Sequence, residues 1–152
     1  IYLTEFSYLV FSGIVSDNLN IIVLYLFLIC ISSDVGGLIF GKFFKGKKLT
    51  KISPNKTISG TIGSFCLSLT LVPIFYNIVF KNLINLFELL IITIFISLIS
   101  QLGDLFISFL KRKANVKDTS NILPGHGGIL DRIDGILFAV PLGIIIWKFL
   151  II

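Results

Sequence analysis

Charge is scarce in this 152-residue sequence: Asp, Glu, Lys and Arg make up 14% of it, against 55% hydrophobic residues and a mean hydropathy of +1.01. So little polar surface cannot clothe a water-soluble domain of this size, which excludes a soluble globular enzyme and leaves an integral membrane protein. Cysteine is nearly absent as well. Cys30 and Cys66 lie inside apolar runs, where they read as small hydrophobes and supply neither a disulfide framework nor a thiolate zinc site. No basic start precedes the first apolar residues and Glu5 interrupts them, so a cleavable signal peptide is not evident in them. No P-loop or dinucleotide glycine pattern occurs. No methionine opens the chain, and Ile1 falls within an apolar segment, so further N-terminal helices are expected before it.

What is present is a series of apolar runs long enough to cross a bilayer, which takes about 20 residues each. They fall at roughly 20–40, 60–80, 86–109 and 135–152, with a partial run at the start. The expected fold class is therefore all-α, a polytopic transmembrane helical bundle of four to five spans. Two polar segments broken by Gly and Pro connect the spans as loops: "GKFFKGKKLTKISPNKTIS" and "KRKANVKDTSNILPGHGGILDR". Of the 13 Lys and Arg, six (Lys42, Lys45, Lys47, Lys48, Lys51, Lys56) lie in the first segment and five (Lys111, Arg112, Lys113, Lys117, Arg132) in or beside the second. The positive-inside rule assigns both loops to the cytoplasm and the short turn 81–85 to the far side. Cations so concentrated also suit an anionic partner, either lipid headgroups or a nucleotide.

A topology signal accounts for the lysines but not for the acids. Asp34 follows "IIVLYLFLICISS", Asp104 sits near the cytoplasmic end of its span, and Asp131 and Asp134 open the last one. Carboxylates at such depths are costly and face a cavity, a partner or an ion. Asp104, Ser108, Lys111 and Arg112, at i, i+4, i+7 and i+8, share a helix stripe. Asp131 and Asp134, at i and i+3, share a face if the last helix begins near Leu130, and together could hold a hard cation such as Mg²⁺; equally, Asp131 could simply favour that helix's positive N-terminus.

Glycines follow Asp34 in "DVGGLIFGK" and precede the Asp pair in "PGHGG", where successive backbone N–H groups could cradle phosphate. His126 could bond a phosphate or move a proton, although a lone loop histidine is more often structural. "SPNKT" adds Ser53, Lys56 and Thr57 in a turn that suits phosphate and is also common in ordinary loops. Carboxylates for a metal, cations for negative oxygens and glycine turns for phosphate, all at one mouth of a bundle, describe phosphoryl or nucleotidyl transfer on a membrane substrate.

The stretch "SFLKRKANVKDTSNILPGHGGILDRID", residues 108–134, resembles the signature of the CDP-diacylglycerol synthase (phosphatidate cytidylyltransferase) family. The elements "SD.GG...GK" from Ser33, "SPNKT" with Gly60 and Gly63, and "QLGDL" from Gln101 agree with it. The likeness covers about residues 30–145 and corresponds to the C-terminal catalytic part of such enzymes, so 1–152 is expected to be a single transmembrane catalytic domain from a longer chain. The resemblance implies that CTP and phosphatidate give CDP-diacylglycerol and pyrophosphate, with Mg²⁺ required and a second cation left open. It implies a metal centre of Asp104 and Asp131, supported by Asp134 and Asp34. Lys111, Arg112, Lys117, Asp118 and His126 would join Asp104, Asp131 and Asp134 in catalysis. Ser53, Lys56, Thr57, Gly127, Gly128 and Arg132 would bind substrate. Ser59 and Ile107 stand where the family often has an acid, Gly135 where serine is common and Leu38 where tyrosine is common.

By the same resemblance the protein would be multi-pass in a bacterial inner membrane, with its active site facing the cytoplasm, no nucleic-acid partner, and a homodimeric state. Two other readings stand beside it: a CTP-dependent transferase for another lipid phosphate, and a non-catalytic membrane protein or transporter that binds anionic lipid. Against the transporter, no convincing internal repeat is visible.

Overall fold

The computed structural model describes residues 2–15, 20–50, 53, 56–114, 116 and 130–151; inside the helices the side chains of 2, 3, 9, 12–15, 130–132, 150 and 151 are not described. The described residues are helical throughout, apart from short connections and one isolated bridge between Lys48 and Thr57. In chain order come α1 (Tyr2–Val15), α2 (Asn20–Phe44), α3 (Ile58–Leu69), α4 (Leu71–Phe75), a π-helical turn (Tyr76–Phe80), α5 (Leu86–Lys113) and α6 (Leu130–Ile151).

Three rods are long and apolar enough to cross a membrane: α2, the α3–α4–π stack over Ile58–Phe80, and α5. α6 has 22 residues and, beyond Asp134, a single charge at Lys148. These coincide with the four runs expected from hydropathy. The polar segments begin later than expected, because "GKFF" still belongs to α2.

The second rod is not a uniform helix, and its sequence says why. Pro73 has no N–H to donate four residues back, so the ladder is interrupted near Thr70, whose N–H reaches Leu67 O at 3.2 Å and whose Oγ1 donates to the same carbonyl at 2.7 Å. The Asn77 amide then donates to Pro73 O at 2.8 Å, and the chain widens into the π turn. A tight turn follows, with the N–H groups of Leu83 and Ile84 both on Phe80 O. α5 restarts with a capping box in which the Glu88 side chain receives the Asn85 N–H.

α2 is the hub, in contact with every other helix. Its approach to α3 is closest where glycines face each other: a side chain on Gly36 would run into the Gly63 carbonyl, and one on Gly63 into Phe40. The stretch "DVGGLIFGK" thus differs from the sequence-based expectation, since it is helical and Gly36 and Gly41 serve helix packing, not a phosphate cradle.

The core is graded along the bundle axis. At the end carrying the turn 81–85, Tyr25, Phe80 and Trp147 are buried with Phe75 packed against them, their rings in contact. The middle is aliphatic, with Ile29, Val72, Ile96, Val140 and Ile144. Toward the other end hydroxyls enter the interior: Ser33, Ser64, Ser97 and Ser100 are all buried. Large apolar side chains such as Leu24, Ile31, Ile62, Ile91 and Phe95 face outward, as a lipid environment demands.

Candidate active site

The α2–α3 contact, and the packing of α5 on both α3 and α6, bring four segments to one mouth. α3 is entered through Thr57, whose extended backbone and Oγ1, accepting the Gly60 N–H at 3.1 Å, cap the helix and set Lys56 just outside it. The Lys56 ammonium projects across to α5, 2.7 Å from Asp104 Oδ2 and 3.5 Å from the Gln101 carbonyl. On the neighbouring wall Lys111, near the end of α5, reaches Asp134 Oδ2 in the first turns of α6 at 2.8 Å. The two pairs differ in exposure: side chains of Lys56 and Asp104 are 26% and 33% exposed, those of Lys111 and Asp134 13% and 3%.

Both pairs line one cavity of about 560 Å³. Its polar lining is made by Asp34, Lys56, Asp104, Ser108, Lys111 and Asp134, and Ser53 and Thr57 also border it. Apolar side chains also line it, Leu38, Phe65, Leu98, Leu102 and Leu105, of which Leu38, Leu98 and Leu102 are also exposed on the outer surface of the bundle.

A ladder of hydroxyls, of which Ser33 and Ser64 border the cavity, ties the three long rods together. Ser64 Oγ donates to the Ser33 carbonyl at 2.6 Å, Ser97 Oγ to Ser33 Oγ at 3.1 Å, and the Gln101 amide to Ser97 Oγ at 3.5 Å. Buried polar groups of this kind fix one register between helices, because a slip would strand them in an apolar medium.

Of the residues expected from sequence, Asp34, Ser53, Lys56, Thr57, Asp104, Lys111 and Asp134 converge here. Arg112 does not: it is exposed and is not among the residues lining the cavity. At about 100° per residue, i+7 returns close to the direction of Asp104 whereas i+8 lies about 80° away. Lys117, Asp118, His126, Gly127 and Gly128 lie outside the described residues, as do the side chains of Asp131 and Arg132. The serine ladder and Gln101 were missed from sequence. A signal existed, since Thr93, Ser97, Ser100, Asp104, Ser108 and Lys111 continue one stripe along α5 at spacings of three and four.

The donor set suits Mg²⁺ by its chemistry. Among the described residues no three carboxylate, histidine or cysteine groups form a ready-made metal site. Mg²⁺ does not need one, because it usually takes one or two carboxylates and completes its octahedron with water and phosphate oxygens. Asp104 and Asp134 fit that requirement, each already beside a lysine that a phosphate could claim.

The sequence matches the model of the cytidylyltransferase family over residues 1–150. The chain belongs to that family. Among similar curated proteins, the phosphatidate cytidylyltransferase of Staphylococcus haemolyticus is 48% identical over 128 residues, 84% of this chain and 48% of the relative. That of Rickettsia typhi is 44% identical over 144 residues, 89% of this chain and 61% of the relative. That of Bacillus subtilis is 48% identical over 121 residues, 77% and 45% respectively. The chain therefore spans about half the length of the curated relatives it matches. As a member of the cytidylyltransferase family it is an all-helical integral membrane protein, and the paired carboxylates and lysines of its cavity lie within the matched region.

Proposed function

We propose that the protein transfers CMP from CTP to phosphatidate, yielding CDP-diacylglycerol and pyrophosphate, at the cavity between α2, α3, α5 and α6. The observation that carries this reading is the mixed lining of the cavity: the charged groups of Asp34, Lys56, Asp104, Lys111 and Asp134 together with leucines, of which Leu38, Leu98 and Leu102 are also exposed on the outer surface of the bundle. A lipid phosphate combines the same two characters, and a water-soluble acceptor would gain nothing from the exposed leucines. The relatives' printed names supply the reaction class.

In this reading the acceptor enters from the bilayer past Leu38, Leu98 and Leu102, leaving its chains in lipid. A phosphate oxygen of phosphatidate attacks the α-phosphorus of CTP; the bond from that phosphorus to the oxygen bridging the β-phosphate breaks, and pyrophosphate leaves with the electron pair. The attacking oxygen is already ionised near neutral pH, so positioning and charge neutralisation matter more than a strong base. Lys56 and Lys111 neutralise phosphate oxygens when released from Asp104 and Asp134. Asp104 and Asp134, with Asp34 beside them in the cavity and Asp131 three residues before Asp134, would hold Mg²⁺, which when bound would add charge neutralisation at the phosphates. Gln101, through its carbonyl on Lys56, keeps that lysine on the α5 wall. The lysine-bearing mouth faces the cytoplasm of a bacterial inner membrane, where CTP is available, and the whole chain acts as one transmembrane catalytic domain, paired as a homodimer.

The test is incubation of the full-length protein with radiolabelled CTP and phosphatidate in mixed micelles, with and without Mg²⁺. The reading requires a labelled lipid-soluble product that appears only with the metal and only with a lipid phosphate acceptor. No such product under any of these conditions would overturn it.

A further inference from the structure

The cations of this mouth fall into two groups, and only one is accounted for by the cavity. Lys56 and Lys111 point inward at carboxylates, whereas Lys42, Lys45, Lys47 and Lys48 are exposed around the last turn of α2 and the strap that follows. In their midst stand Phe43 and Phe44, 80% and 62% exposed, with rings edge-to-face at 5.4 Å. The strap is held firmly. The N–H groups of Leu49 and Ile58 bond Lys56 O and Lys47 O at 2.8 and 3.0 Å, and the Gly46 N–H donates to Ser59 Oγ at 3.3 Å. Lys45 itself is fixed at φ 43°, a left-handed backbone that non-glycine residues adopt at a cost. An arrangement whose only task was to mark the cytoplasmic side would need neither this ordering nor two bare aromatic rings at the end of a membrane span.

We propose that Phe43, Phe44 and the lysines at 42, 45, 47 and 48 form a docking collar for anionic phospholipid headgroups, the rings entering the interfacial layer and the ammonium groups meeting lipid phosphate. Charge complementarity selects the occupant: four exposed cations lie together, and the ion pairs among the described residues employ Lys56 and Lys111 instead. Anionic leaflets attract juxtamembrane lysines within about a Debye length, and apolar rings anchor in the headgroup region. The collar is independent of the transfer reaction.

The experiment reconstitutes the chain in phosphatidylcholine bilayers and measures, by electron spin resonance, the association of spin-labelled phosphatidylglycerol relative to spin-labelled phosphatidylcholine. The native chain should prefer the anionic lipid, and the preference should shrink as salt rises from about 0.05 to about 0.5 M. At about fivefold per lysine near the surface as an upper scale, the triple variant K45Q/K47Q/K48Q should lose roughly fivefold or more of it, while K45R/K47R/K48R keeps it and Lys81→Gln, at the opposite end, leaves it unchanged. An unaltered preference in the triple glutamine variant, or no salt dependence in the native chain, would overturn the proposal. Should the glutamine variant fail to fold, the salt series on the native chain decides.

Discussion

The two ends of the bundle are built on opposite principles. At the turn end, Tyr25, Phe75, Phe80 and Trp147 fill the space between helices with rings, and the Tyr25 and Thr93 hydroxyls make a buried bond of 2.7 Å between helices. At the mouth the same helices are joined by serines and by two lysine–carboxylate pairs around a cavity. Ring packing holds the rods together through dispersion and shape, whereas ion pairs at the membrane edge are stabilisers only in proportion to how completely they neutralise charges already withdrawn from water. Ring packing thus concentrates at the end away from the cavity, which lets the mouth keep groups that a purely structural bundle would replace with leucine.

The sharpest way to break that comparison is Phe80→Ala. Removing a fully buried ring should cost about 3–5 kcal/mol of folding stability, read as a lowered midpoint in a detergent denaturation series, while nucleotide affinity of the protein that stays folded is unaltered. Next comes the contrast within the mouth itself. Lys111→Met breaks the pair with the buried Asp134 and should destabilise by about 3 kcal/mol; Lys56→Met, in the more exposed pair, should cost less than about 1 kcal/mol. Both should depress CTP binding, so a Lys56 variant of native stability and weakened nucleotide affinity would separate function from fold at one residue. Tyr25→Phe, which leaves the ring and removes the bond to Thr93, should cost about 1 kcal/mol in the same denaturation series and leave CTP binding unchanged.

Much of this was legible in the sequence because the bilayer imposes length. Four apolar runs appear as four rods with ends shifted by a few residues, and the acids expected at one face, Asp34, Asp104 and Asp134, do meet. Pairing was not legible. Lys56 and Lys111 were expected to meet phosphate and the carboxylates to meet metal, whereas in the fold each lysine rests on a carboxylate of a different segment, 48 and 23 residues away, a contact that helix spacing cannot reveal. The glycines after Asp34 were read for their freedom near a ligand, but a helix already uses their N–H groups, and what the sequence there encodes is close approach to α3. Serines inside apolar runs escape a hydropathy reading because each is nearly neutral on its own; only their three-to-four spacing on α5, continuous with Asp104 and Lys111, marks them.

The central claim, that the ion-paired mouth performs the chemistry, is tested most directly by the yield of labelled lipid product from full-length protein carrying Asp104→Asn, normalised to folded protein. The substitution keeps shape and removes the charge that holds Lys56 and would hold Mg²⁺. A fall of about a hundredfold or more, with the denaturation midpoint within about 1 kcal/mol of native, is the predicted result; a native rate of product formation would contradict the account.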